Sequence, residues 1–357
     1  MIKREEGFSL VELLVTMVVF VLIISATSNT FIDLLKDFKK QSKQSETNIE
    51  GAVGLETFKR DITSAGYGLP WAVDGAAWTD LTAGSGYQEA ASVPKVGNNP
   101  PNPADFNDAP PIYASRREPK AILSGNNTGV DFSAVAVVGE SSDYLVIKAM
   151  NVATNVTSQK WTHLKVGDAK TPWTPDCENV NRNTSCGTAD TVRVIVINPG
   201  GTGTSRRLLK VDAAKVFFKQ YDNTSALAPA TGSTDVYVLY GVDDDTDLRM
   251  PFNRADYFIE RPDGISSSCA ENTGVLYKAV VSHTGGALTK NPILDCVADM
   301  QVVFRRDTGT DGIIDTASED ISTLSATTIR DQVKEVRVYI LAHEGENQRA
   351  RSTADAL

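Results

Sequence analysis

Gly7-Phe8-Ser9-Leu10-Val11-Glu12-Leu13 opens an apolar run that continues to Ala26 without a second charge. From Phe8 onward the run is about long enough to cross a ~30 Å hydrocarbon core as one helix. Lys3 and Arg4 precede it, which predicts a cytoplasmic N-terminal end and export of everything that follows. Glu12 is the anomaly, because a charge at mid-membrane costs roughly 2.5–3.5 kcal/mol. That cost points to a segment that leaves the lipid and packs against other copies or relatives of itself. A secretory signal peptide would place its small-residue cleavage site after the apolar run, where Ser25-Ala26-Thr27 fits only weakly. A plain single-pass anchor would leave Glu12 unexplained.

The helix signal outlasts the apolar run. Phe31, Leu35 and Phe38, then Ile49, Ala52, Leu55, Phe58, Ile62 and Ala65, recur at three- and four-residue steps, with Lys36, Lys39, Lys40, Lys43 and Glu46 on other faces. No proline appears before Pro70, and Gly66-Tyr67-Gly68-Leu69-Pro70 reads as a stop. One helix from Phe8 to Ala65 would be roughly 85 Å long at 1.5 Å per residue. Ser42 and Ser45 interrupt the apolar stripe and Gly51 and Gly54 weaken it, which predicts a bend there.

The sequence Lys3-Arg4-Glu5-Glu6-Gly7 followed by Phe8-Ser9-Leu10-Val11-Glu12 resembles the type IV prepilin leader. The resemblance implies cleavage by a prepilin peptidase between Gly7 and Phe8 and N-methylation of Phe8. Glu12 becomes the fifth residue of the mature chain, its carboxylate neutralising the terminal ammonium of a neighbouring subunit. Leu55-Glu56-Thr57-Phe58-Lys59-Arg60-Asp61-Ile62-Thr63-Ser64-Ala65-Gly66-Tyr67 narrows the likeness to the PilW minor pilins and the related J-type pseudopilins of type II secretion. Many major pilins carry a helix-kinking proline in the apolar half, and none lies between Phe8 and Leu69 here.

The expected fold class is α+β: a long N-terminal helix packed on a mostly antiparallel sheet. The expected division is a leader over 1–7, a membrane and filament-core helix over 8–30, its amphipathic continuation over 31–66 and a β-rich domain over 67–357. Residues 71–130, with Pro94, Pro100, Pro101, Pro103, Pro110 and Pro111, read as irregular, and such a stretch usually marks a functional surface or mobility. Strands are expected at Ala134–Val138, Tyr144–Ala149, Thr191–Ile197, Leu208–Val211, Lys215–Tyr221, Val236–Tyr240, Val275–Val281, Met300–Arg305 and Val333–Leu341. Residues 150–270 are a candidate inserted subdomain.

The 357 residues carry a formal net charge of −10, and the four leader charges cancel. An acidic exported domain without a basic stripe argues against nucleic-acid binding. Four cysteines in an exported chain suggest two disulfides. The favoured pairing is Cys177–Cys186 and Cys269–Cys296; zinc is the rival, but no knuckle spacing is present and His163, His283 and His343 are scattered.

Asp307-Thr308-Gly309-Thr310-Asp311-Gly312-Ile313-Ile314-Asp315 resembles a calcium loop. Asp307, Asp311 and Asp315 stand at positions 1, 5 and 9, and Ile313 offers its carbonyl. Gly309 leaves position 3 without a donor, and Glu319 falls one place beyond the usual bidentate acid. Calcium is the expected cofactor, with an acidic hairpin turn without metal as the alternative. Asp243-Asp244-Asp245-Thr246-Asp247 reads as a solvated turn, and Tyr144, Trp161 and Trp173 as core or rim aromatics. No P-loop, G-x-S-x-G, H-E-x-x-H or dinucleotide turn occurs, so no enzyme is expected.

The resemblance implies a minor pilin that primes a type IV pilus, in contact with other minor pilins, the major pilin and the inner-membrane assembly platform. It implies residence in the bacterial inner membrane with a periplasmic C-terminal domain before assembly, and at the pilus or cell surface afterwards. Motility and cell adhesion are the processes served. A type II secretion pseudopilin is the alternative, and an anchored adhesin-like module using the Pro-rich segment 94–111 is a third.

Overall fold

The computed structural model describes residues 9–81, 87–93, 101–108, 118–129, 141–171, 192–200, 206–244, 246–266 and 269–342, with backbone only at 29, 40 and 43–50. The chain divides into two units, Met1–Val53 and Gly54–Leu357. A single helix, α1, runs over Leu10–Thr63, and the weak stretch from Ser42 to Gly54 lies within it. It ends where Gly66 and Gly68 take φ of +80° and +66°, a left-handed backbone that side-chain-bearing residues resist.

Ahead of the first long strand come β1 (Ala72–Val73) and β2 (Ile122–Gly125), then β3 (Tyr144–Ala149). Next are β4 (Trp161–Lys165), β5 (Ala169–Lys170), β6 (Arg193–Asn198), β7 (Leu208–Leu209), β8 (Lys219–Gln220) and β9 (Tyr237–Asp243). The remainder holds β10 (Asn253–Glu260), β11 (Gly274–Val281), β12 (Leu288–Arg306), β13 (Thr316–Ser318), a short helix α2 (Ala326–Gln332) and β14 (Val333–Ala342). One sheet has the order β13-β12-β11-β10-β3-β2, with β14 also on β12. The other has the order β1-β7-β6-β9-β4-β5, with β8 also on β6. Every pairing is antiparallel except β1 with β7. The chain between β3 and β10 therefore supplies β4 to β9, all in the second sheet. The expected strand at Ala134–Val138 falls outside the described residues.

The first sheet has two buried faces of different chemistry. Leu145, Ile147, Ala149, Ala255, Tyr257 and Ile259 point to one side, where Phe58 and Ile62 of α1 and Ile329 of α2 complete an apolar core. The alternate residues Tyr144, Val146, Lys148, Arg254, Asp256 and Phe258 are buried on the other side. Tyr144 is stacked there between Phe106 and Phe258, at centroid distances of 4.4 and 5.4 Å. Strand β10 was not anticipated, because Asn253, Arg254, Asp256 and Glu260 read as solvent residues while all but the last are buried.

On the edge of β12 away from β14, Asp143 takes the place of a strand between the pairings with β11 and β13. The Asp143 N–H donates to the Met300 carbonyl at 2.8 Å, and its carboxylate accepts from Val302 N–H at 2.7 Å and Asn127 N–H at 2.8 Å. Burial raises this carboxyl from 3.8 to about 6, in spite of those two donors. Just beyond β11, buried His283 accepts from Arg249 N–H on Nδ1 at 3.2 Å and meets Asn253 Oδ1 through Nε2 at 3.3 Å. Burial lowers it from 6.5 to about 4.

Candidate functional site

The described chain begins at Ser9, so the predicted processing junction between Gly7 and Phe8 lies outside it. In the first turn of α1 the Ser9 N–H donates to Glu12 Oε2 at 3.4 Å, and the Glu12 side chain is exposed. Leu10–Lys39 is long and apolar enough to cross a membrane, with a mean hydropathy of 2.6. Leu13, Leu14, Met17, Val18, Phe20, Val21 and Ile24 are all exposed, so apolar surface runs around the whole circumference. Three of its hydroxyls are satisfied within the helix. Thr16, Thr27 and Thr30 donate to the carbonyls of Leu13, Ile23 and Ala26 at 2.9, 2.8 and 3.0 Å. Such a helix is finished internally and unfinished externally.

Within the second unit, the end of α1 is tied down by charge as well as packing. Asp61 is buried; its Oδ2 accepts from the Tyr257 hydroxyl at 2.6 Å and from Lys278 Nζ, on β10 and β11. Arg60 lies 3.8 Å from its other oxygen. Phe58 packs on the Tyr257 ring at 4.3 Å. One turn earlier the helix runs so close to β12 that a Cβ on Gly54 would collide with the carbonyl oxygen of Ile293. The basic-Asp pair noted in the sequence thus holds a buried docking carboxylate, a role that the sequence alone did not disclose.

A second ionic cluster lies under the irregular segment. Lys148 Nζ contacts Glu89 at 2.8 Å and Asp108 at 2.6 Å. The Arg254 guanidinium spans Asp256 at 2.7 and 2.8 Å, Glu89 at 2.9 Å, the Asn107 side-chain oxygen at 2.6 Å and the Pro103 carbonyl at 2.9 Å. Tyr144 donates to Asp256 at 2.6 Å. Lys148, Glu89, Arg254 and Asp256 are all fully or almost fully buried. Within the stretch 71–130, expected to be a functional surface or mobile, residues 87–93 and 101–108 are therefore fastened to β3 and β10. Most of the Pro-rich segment 94–111 assigned to the adhesin-like alternative lies outside the described residues.

The calcium expectation meets a different geometry. Both oxygens of Asp307 are taken by loop N–H groups, from Asp311 at 3.1 Å and Gly312 at 2.8 Å. Asp315 accepts from Thr308 N–H at 3.2 Å, Thr308 Oγ1 at 2.7 Å and Thr316 Oγ1 at 2.9 Å, and these bonds lower it from 3.8 to about 2. Asp311 accepts from Ile313 N–H at 2.9 Å, and Glu319 is exposed beyond β13. Among the described residues no three acidic, histidine or cysteine side chains gather in a metal-sized group. The loop's carboxylates cap its own backbone, which is the simpler role that an Asp-Gly-rich turn can play.

In the other acidic run, Asp244 bonds Thr157 and Asp247 pairs with Arg193 at 3.0 Å, and both stay exposed to water. Asp245 is outside the described residues. Cys269 and Cys296 form a disulfide with a Cα separation of 4.8 Å, whereas Cys177 and Cys186 are not described. Trp173 is likewise outside, and Trp161 meets His163 edge-on at 5.4 Å.

Residues 2–28 match the family model described as the prokaryotic N-terminal methylation motif. This supports a pilin-like protein anchored through its N-terminal helix, processed by a prepilin peptidase and assembled with pilus components. No curated protein and no solved structure is similar to the chain.

Proposed function

We propose that the chain is a minor pilin of the PilW kind, which helps to initiate a type IV pilus within a priming or tip complex. The observation that carries this reading is the N-terminal methylation motif over residues 2–28, leading straight into an exposed apolar helix with one carboxylate. Cleavage after Gly7 and methylation of Phe8 would set a terminal ammonium four residues ahead of Glu12. When helices of neighbouring subunits stack, that ammonium and a neighbour's Glu12 cancel each other's cost in a low-dielectric surround. The partners are other minor pilins, the major pilin and the inner-membrane platform, with the globular domain in the periplasm before assembly and at the cell surface afterwards. A globular unit built on two seven-stranded sheets suits a subunit used in few copies.

Mass spectrometry of the mature chain tests the processing half, and the expected species begins at methylated Phe8. A chain still carrying Met1 would end the prepilin reading. Glu12→Ala should leave cleavage intact and reduce incorporation into filaments. Deletion of the gene is expected to abolish surface pili; loss of exoprotein release with pili intact would assign the chain to a secretion pseudopilus instead.

A further inference from the structure

A cavity of about 520 Å³ lies beside the end of α1, between that helix end, β2 and α2. Its floor includes Trp71, and its apolar wall includes Ile62, Leu69 and Ile329. Two guanidinium groups converge on the one indole: Arg330 at 3.9 Å from the ring centroid and Arg207 at 5.6 Å. Both line the cavity, as do Lys334 and Glu335, the latter already paired with Arg305 and Arg337.

The two arginines differ from the three most deeply buried cations of the sheet. Lys148, Arg254 and Lys278 each have a carboxylate against them. Among the described residues neither Arg207 nor Arg330 has an ion-pair partner. Arg207 donates from Nη1 to the Gly66 carbonyl at 3.1 Å, and Arg330 from Nη2 to Thr327 Oγ1 at 3.1 Å. Thr327 in turn donates to Glu118 at 3.0 Å, which keeps that carboxylate one hydroxyl away from Arg330. Burial lowers the proton affinity of Arg330, and Arg207 lowers it further against the opposing pull of Glu118 and Asp331. The backbone of Arg207 is itself held at φ +50°, a strained region for a residue with a side chain. Two like charges, their forked donors only partly spent, share one aromatic surface in a half-apolar cavity. That is a receptor for an anion carried on a ring or an apolar body.

We infer that the Trp71–Arg207–Arg330 cavity binds a carboxylate attached to a flat or apolar group. The guanidinium donors take the carboxylate, and Trp71 with the apolar wall takes the body. This goes beyond the assembly reading and stands without it. Two sources supply such a group, a sugar acid or the terminal carboxylate of a peptide chain.

The test is calorimetric titration of the full chain in detergent with sodium glucuronate and, separately, with N-acetylphenylalanine. Glucose, N-acetylphenylalanine amide and sodium chloride at matched ionic strength are the controls. Saturable binding of either acid, absent with its neutral counterpart, is expected, and the tighter of the two names the source. Arg330→Gln should weaken that binding about tenfold or more, and Arg330→Lys, which keeps the charge but not the planar fork, by a smaller factor. Arg207→Gln repeats the test from the other side should Arg330→Gln lose its circular-dichroism signature of folding. No saturable response to either acid, an equal response to the neutral controls, or affinity unchanged in these variants would overturn the site.

Discussion

The first thirty residues of α1 and the β-rich unit handle their awkward groups in opposite ways. The helix leaves large apolar side chains exposed on every face and carries, within its apolar run up to Ala26, a single carboxylate, Glu12. The β-rich unit buries Glu89, Asp61, Lys148, Arg254, Asp256 and Lys278 and gives each an internal partner. A surface of the first kind is stable only when lipid or other helices cover it. A domain of the second kind has closed its own accounts. The difference teaches where this molecule needs a covering partner to be stable: along the anchor.

The bluntest attempt to break that contrast is to express residues 54–357 alone. The fragment should stay soluble without detergent and keep its circular-dichroism melting point within about 5 °C of the full chain, a shift worth no more than ~2 kcal/mol. Aggregation of the fragment would mean that the domain too depends on an outside partner.

The buried charges offer the next largest effect. Arg254→Met strands Glu89 and Asp256 without a cation and should lose about 3–5 kcal/mol in urea unfolding. Asp61→Asn leaves Lys278 unpaired at the helix end and should lose about 3 kcal/mol. Losses below about 1 kcal/mol would place these pairs with ordinary surface ion pairs.

A finer test separates two titrating groups with opposite signs. The lowered value of His283 makes the fold disfavour its charged form, so its contribution is present above 6.5 and lost as pH falls toward 4. Asp143, raised to about 6, favours the fold when protonated, so its contribution is present below 3.8 and lost as pH rises toward 6. The two trends oppose each other over one interval, and the wild-type profile should be shallow there. His283→Gln should expose stability falling as pH rises from 4 to 6, and Asp143→Asn stability rising from 4 to 6.5. Parallel slopes in both variants would contradict these assignments.

The smallest effect expected is that of calcium. Because the carboxylates of the 307–315 loop serve its own N–H and hydroxyl groups, millimolar calcium against chelator should move the melting point by less than about 2 °C. A larger rise would mean that the loop rearranges to coordinate.

How much was legible in the sequence follows from the same contrast. The anchor could be read because its message is local: a junction, a charge and an apolar run. Tyr144–Ala149 and Val333–Leu341 were anticipated almost residue for residue because their alternation is carried by Val, Ile and Tyr. Strand β10 was missed because half of its pattern is charged, and the segment that buries those charges lies far away in the chain. The first half of β12 was missed because Lys290, Asn291, Pro292 and Asp295 break the apolar rhythm on what proved a long, twisted strand. Asp61 stood in a recognised motif, but its partners Tyr257 and Lys278 are invisible from its neighbourhood. The Trp71 cavity gathers Trp71, Arg207 and Arg330 from three distant stretches and left no mark on the sequence at all.

The lock at the end of α1 also fixes how the domain meets mechanical load. A pull delivered through the helix arrives at Asp61 and Phe58, and passes from there into β10 and β11, each of which has a hydrogen-bonded strand on both sides. Traction thus enters the weave at its middle, where several ladders must shear together, rather than at a hem where one strand could be peeled away.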